Sequence, residues 1–483
     1  MTQKPKRTPL LIIFVTVFID LLGFGIVLPL LPRYAKHFHA SGWMLGALMA
    51  SFSVMQFVFA PLWGRVSDRI GRRPVLILGL LGSTVFYSLF GYVTDLGSRG
   101  VLLGLGVLPW LFLCRIGAGI AGATIPTAQA YIADVTGPAE RAKGMALIGA
   151  AFGIGFTFGP LLGAVFVTGD AGDPQTFTEK RMVERLKITE SQQRGITRVL
   201  EDYEPRIHAK TLARRKRDQL KAERDEEVLS QLSTQQQKDW ASISAPSSAP
   251  GYVAGVLSFF ALLSAIFLLP ESLQPGMQTE SRNWLELSGL RNAMSRPAIG
   301  LILATMFLTT FAFAQFESTL SLLTASLGLA DRYNYFVFAY IGFILSLSQG
   351  VLVRRLVPKW GEFKMSVIGT TLMTLGFILV GISGAVESRS MLYAVLPLCV
   401  IGFSALNPSL QSLLSRRTDA SQQGGILGVG QSMSALARIL GPMVGLPLCD
   451  WDMAAPYWAA AILMSLGIGL TWMLRSPPPA SVQ

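Results

Sequence analysis

Four charged side chains lie inside apolar stretches of this chain: Asp20 in FIDLLGF, Arg115 in LCRIGAG, Glu317 in AQFESTL and Arg438 in ALARILG. In a lipid interior each costs about 2.5–3.5 kcal/mol even on a mild insertion scale, so each is kept for a partner, a wet cavity or a proton. A carboxylate can take a proton while its surroundings are dry and release it when water or a cation enters. Asp20 and Glu317 are therefore the candidate proton-coupling residues. Guanidiniums keep their protons under working conditions. Arg115 and Arg438 can hold a carboxylate ionised or take an anionic group of a ligand. The plainer alternative for all four is a static polar contact between helices. Gln129, Gln315, Asn407 and Gln411 add amides that can bond a ligand or one another. Phe24, Phe86 and Phe316 offer faces for an apolar ligand, although aromatics at helical spacing more often pack than bind.

The elements that carry these residues follow from composition. The chain has 483 residues, 51% hydrophobic and only 14% charged, with mean hydropathy +0.47. A soluble chain carries about 25% charge, so most of this one belongs in lipid. Each crossing needs about 20 apolar residues, and twelve runs qualify: 10–31, 43–64, 74–93, 101–125, 144–167, 251–270, 298–327, 334–353, 364–385, 391–414, 425–447 and 455–474. Lipid offers no partner for open sheet edges, so these runs predict an all-α membrane bundle. The net charge of +12 is a topology signal, since Lys and Arg concentrate in alternate loops without forming a nucleic-acid face. That bias predicts both termini in the cytoplasm. Cys114, Cys399 and Cys449 sit far apart in apolar runs, with neither a metal spacing nor a disulfide framework.

Two stretches interrupt the spans. Residues 168–250 form a Gln-rich insert with 15 basic and 14 acidic residues. Met182, Leu186, Val199, Tyr203 and Ile207 recur at helical spacing, Pro205 predicts a break into two helices, and the segment reads as a solvated helical hairpin on the outer side. Its basic run Ala213–Arg217 could meet a protein or a lipid surface, but the neighbouring acids favour a solvated face. Residues 271–297 form a central cytoplasmic linker. The chain then divides into 1–167 (spans one to five), the insert, 251–270 (span six), the linker and 298–483 (spans seven to twelve). The halves echo each other: Gly155-x-x-x-Gly159-Pro160-x-x-Gly163 in span five is answered by Gly441-Pro442-x-x-Gly445 in span eleven. Small residues of this kind let helices approach closely.

Between spans two and three lies GRVSDRIGRRP, with Gly64, Asp68, Arg69, Gly71, Arg72 and Arg73 at the spacing Gly-x-x-x-Asp-Arg-x-Gly-Arg-Arg. This resembles the loop signature of the major facilitator superfamily of transporters. The resemblance implies two six-helix pseudo-repeats, and an inner gate braced by Asp68 against the start of span eleven near Gly424 and Gly425, where a helix N-terminus favours an acid. IDLLGFGIVLPLLPRYA, LCRIGAGIAGATIPTAQAYIADVTGPAERAKG and ALNPSLQSLLSRRTDASQQGGILG look like the matching stretches of tetracycline/proton antiporters. That branch carries acids in the third and ninth spans where this chain has Phe86 and Met373, which points away from metal-chelated tetracycline as the substrate.

The expectation is a proton-coupled antiporter that exports a small apolar or amphipathic compound by alternating access. It would sit in a bacterial inner membrane, with the bilayer, protons and substrate as partners and no cofactor beyond the proton gradient. No Gly-Lys-Ser/Thr loop suggests ATP drive, and no nucleophile, base and metal set suggests an enzyme. The alternatives are a metabolite importer, proton-coupled or facilitative, and a membrane receptor or scaffold acting through the insert.

Overall fold

An apolar helix in lipid ends where its sequence supplies a cap or a backbone turn, and those signals set the observed boundaries. The computed structural model describes residues 7–38, 40–97, 100–136, 141–167, 180–207, 214–243, 246–273, 295–418 and 423–475. Eleven continuous stretches are long and apolar enough to cross a membrane. One of them, Asp331–Ala385, has 55 residues, far beyond the ~20 that one crossing needs. It breaks at Gly361, whose φ of 78° and ψ of 159° no helix contains. It therefore holds two crossings. The described residues thus hold twelve crossings of a multi-pass integral membrane protein.

The N-terminal half comprises Arg7–Val27, Gly42–Ile70, Arg72–Asp95, Val107–Val135, Arg141–Phe166 and, after the insert, Ala249–Leu268. The C-terminal half comprises Pro297–Ser326, Asp331 to Trp360, 362–385, Arg389–Arg416, Gln423–Trp451 and Ala455–Met473. The repeat is visible in backbone detail. Span one packs on span five where Gly159 meets Gly25, with 2.9 Å between a Cβ built on the first and the Cα of the second. Span seven packs on span eleven in the same manner, where a Cβ on Gly441 would come 2.9 Å from Ala314 Cβ. Gly163 abuts the Tyr335 ring of span eight, and Gly445 faces Gln315.

Three expectations need correction. Residues 101–106 do not begin span four. They form a short antiparallel hairpin, Val101–Leu102 with Leu105–Gly106, because Leu103 and Gly104 both take positive φ; the stretch is apolar without being helical. Span four instead runs on to Val135. The signature stretch is helical rather than a loop, with span two ending at Ile70, span three starting at Arg72, and Gly71 (φ 107°) alone between them.

The insert is more than a hairpin. Helices Lys180–Leu186, Glu190–Ile207, Arg214–Ser230 and Thr234–Ile243 enclose a core of their own around Leu186, Ile196, Leu200, Val228, Leu232 and Trp240. Pro205 does not split the second helix. It sits in the last turn, where a proline forfeits only one bond to an exposed carbonyl before the helix ends at Ile207. Most side chains of the basic run Ala213–Arg217 lie outside the described residues. The insert returns to the bundle through Tyr34, whose hydroxyl donates to Ser247 O, and through Ser248 Oγ, which donates to Asp95 Oδ1 at 3.0 Å.

Candidate transport pathway

The gate helices show which way the bundle is open. Residues eighteen apart share a helix face, because 3.6 residues make a turn. In span two, a Cβ on Gly46 would lie 2.9 Å from Met443 of span eleven, yet Gly64 on the same face has nothing within 4 Å. In span eleven, Leu446 O touches the Gly42 position, and Gly428 on that face has no neighbour either. Spans five and eight repeat the pattern: Gly342 meets Phe156 and Gly153 meets Ser346, whereas Gly149 and Gly350, one turn further on, meet nothing. Both helix pairs touch toward the face bearing the insert and diverge toward the face bearing the signature motif. Among the described residues the bundle is closed at the insert face and open at the signature face.

Charged residues sit within the diverging helices and the spans around them. Span eleven exposes Gly428, Gln431, Ser432 and Arg438 along one side. Turning polar groups to lipid is expensive, so this stripe faces the open vestibule. Arg438 looks across to Glu317 of span seven; the two act on each other electrostatically without a direct ion pair. In the N-terminal half, Asp20 has one buried carboxylate oxygen, Oδ1, with no hydrogen-bond partner, and Ser83 offers its side chain to the carboxyl. Arg115 is 3% exposed. Its Nε and Nη1 are unpartnered, and its guanidinium lies over two rings, 4.4 Å from the centroid of Phe52 and 5.9 Å from that of Phe24. Tyr87 stands within electrostatic reach of both Asp20 and Arg115.

Other expected residues fall differently. Gln129 and Gln411 are exposed. Gln411 Nε2 donates to Asn407 Oδ1 at 2.9 Å, so this pair bonds to itself. Gln315 does not line the pathway. It is fully buried, and its Nε2 donates to Pro456 O at 2.9 Å. Phe316 is likewise a core residue, packed on Phe313, Phe377 and Tyr457. Gln315 packs against Gly445 of span eleven and reaches span twelve, while Phe316 turns toward spans nine and twelve. Phe86 packs over Gly117. Met373, at 0% exposure, fills an apolar core.

At the signature face Arg72, a buried residue, donates to Ser67 Oγ at 2.7 Å and pairs with Asp68 and with Asp134 Oδ2 at 3.3 Å. The described partner of Asp68 is thus Arg72; the side-chain surroundings of Gly424 and Gly425 lie outside the described residues. Arg73 Nη2 donates to Ile266 O at 2.6 Å, and Arg69 is exposed. Glu271, just past span six, accepts from the backbone N–H groups of Arg72 and Arg73 at 2.9 and 3.1 Å. It thereby satisfies N–H groups left free by the helix start.

Sequence reading missed Glu271, Phe52 and Gln56. Gln56 had a signal. Pro126 has no N–H for the carbonyl four residues back, that of Gly122, and span four breaks there into a 3-10 turn, Gly122–Thr124. Gln56 Nε2 serves that carbonyl at 3.2 Å, and Trp63 Nε1 serves Ile120 O at 2.8 Å.

Residues 13–172 and 241–442 match the family model of the Major Facilitator Superfamily. The chain belongs to the major facilitator superfamily. The match resumes beyond 172 only at 241, so most of the insert is an addition to the superfamily bundle. Among its relatives are Multidrug resistance protein 2 of Bacillus subtilis (25% identical, covering 97% of this chain and 96% of the relative) and the class B tetracycline resistance protein of Escherichia coli (25% identical, 95% and 96%). The crystal structure of the human organic anion transporter MFSD10 superposes with a TM-score of 0.61 at 24% identity, over 97% of this chain and all of that one.

Proposed function

We propose that this superfamily transporter exports a small apolar or amphipathic compound in exchange for protons, with Asp20 and Glu317 as the proton carriers and no cofactor beyond the gradient. The observation that carries the reading is the state of the two carboxylates. Each lies well inside a span, and neither is locked in an ion pair among the described residues, so each is free to change protonation as its surroundings wet and dry. The resistance proteins among the relatives support export of foreign compounds. The apolar core at Met373 speaks against metal-chelated tetracycline. A ligand's anionic group would find Arg438 on the exposed stripe and Arg115 beneath Phe24 and Phe52, with Gln129, Asn407 and Gln411 as further polar contacts.

In this reading the signature face is cytoplasmic, as its arginines favour, and so are both termini, in a bacterial inner membrane. The test is internal pH in proteoliposomes under an imposed proton gradient while lipophilic drugs are added. Substrate-evoked proton leakage that disappears in Asp20→Asn/Glu317→Gln supports the assignment. Undiminished leakage in that double variant refutes the carriers.

A further inference from the structure

Closure of the insert face uses polar bonds that the exchange reaction itself does not need. We propose that Arg33 is the bolt of the outer gate, a single guanidinium from the N-terminal half that fastens the C-terminal half and must let go before the insert face can open. Arg33 sits on the short helix Leu31–His37, just past span one. Its Nε donates to Ser321 O at 3.1 Å and its Nη2 to Thr324 Oγ1 at 2.8 Å. Its Nη1 reaches both Leu329 O at 2.9 Å and Asp331 Oδ1 at 2.7 Å. All four acceptors lie at the end of span seven, the start of span eight or the turn between them, in the opposite half.

The site is dry: the Arg33 and Asp331 side chains are 10% and 7% exposed. Neighbouring bonds fasten the same seam. Asn334 Nδ2 donates to Pro29 O at 2.8 Å and Tyr335 OH to Ile26 O at 2.7 Å, and Thr324 Oγ1, within the C-terminal half, donates to Asn334 Oδ1 at 2.6 Å and so holds that amide in place. A second cross-half pair, Lys36–Asp450 at 3.0 Å, is 47% and 40% exposed, and exposed pairs of this kind contribute little. The ion pairs described at the signature face, Arg72 with Asp68 and Asp134 and Arg416 with Glu362, each stay within one half. Separating the halves at the insert face breaks all four Arg33 bonds at once and leaves Asp331 without its cation. Only a planar fork can serve four acceptors in this way; a lysine ammonium could hold Asp331 but not the rest.

The test is the distance between spin labels on the full-length protein, measured without ligand or proton gradient, so its outcome is independent of the transport reading. Val101 and Val386 are exposed positions on the insert face, one in each half, and Leu11 and Met473 play that part on the signature face. The three native cysteines are buried, leaving introduced ones to take the label. One lost bond to a charged group is worth about tenfold in an equilibrium. Arg33→Ala is therefore expected to raise the ratio of insert-face-open to closed protein at least tenfold, lengthening Val101–Val386 and shortening Leu11–Met473. Arg33→Lys should fall between it and wild type. Asp331→Asn, which keeps the shape and one acceptor, should give about a threefold shift, and it carries the test if Arg33→Ala does not fold. Unchanged distance distributions in whichever of these variants folds would overturn the proposal and assign closure to helix packing at Gly42, Gly46 and Gly342.

Discussion

The two halves share a backbone plan and divide their charges in opposite ways. Where the N-terminal half has a base at the start of span three (Arg72) and an acid near the end of span four (Asp134), the C-terminal half has an acid at the start of span nine (Glu362) and a base at the end of span ten (Arg416). Each pair follows a positive-φ glycine, Gly71 or Gly361. The brace is kept while its sign is inverted. The two acids inside the spans differ as well: Glu317 faces a guanidinium on span eleven, whereas Asp20 and Arg115 each act electrostatically on Tyr87. The repeat therefore conserves where helices must touch and turn. Charge placement is free to diverge because a brace needs opposite signs, not a particular sign on a particular helix.

The largest effect should separate the two acids. Asp20→Asn is expected to abolish substrate-evoked proton movement in proteoliposomes, while Glu317→Gln lowers it about tenfold, since Asp20, which among the described residues faces no guanidinium in a direct ion pair, remains to take and release a proton. Equal losses would erase the contrast. Next come the helix contacts. Gly159→Leu forces a side chain into the backbone of Gly25 and should cost about 3 kcal/mol or more, seen as lost monodisperse protein; Gly441→Leu should cost as much, because it meets the backbone of Phe311 and Gln315 and an Ala314 Cβ fixed to its own backbone.

The signature-face braces sharpen the comparison further. Arg72→Ala leaves Asp68 and Asp134 without their cation in a mostly buried site, for a loss of about 3 kcal/mol in thermal unfolding. Glu362→Ala should cost under about 1 kcal/mol, because Arg416 is 72% exposed. Smaller than the Arg72 effect, but specific to span four, Gln56→Leu should cost about 1–2 kcal/mol by orphaning the Gly122 carbonyl.

Much of this was legible in the chain. The spans, the repeat of small residues and the signature motif are local patterns, and the family match agrees with them. Arg33 was not legible. In PLLPRYA it looks like an ordinary flanking arginine, and its partners lie nearly three hundred residues away. Gln315 and Phe316 misled for a related reason: periodicity identifies a buried helix without saying which of its faces meets a neighbour and which meets the cavity. Pro205 and residues 101–106 show the limits of propensity near element ends, where one lost bond or one positive φ moves a boundary by several residues.

What the sequence by itself determined is the solvent and the plan: long apolar runs can satisfy their backbones in lipid only as helices, and glycines at matching positions fix which helices come close. Tertiary structure alone decided the state, open at the signature face and bolted at the insert face. That decision depends on side chains from opposite halves meeting in space, and no spacing along one chain encodes which of two alternative closures is made.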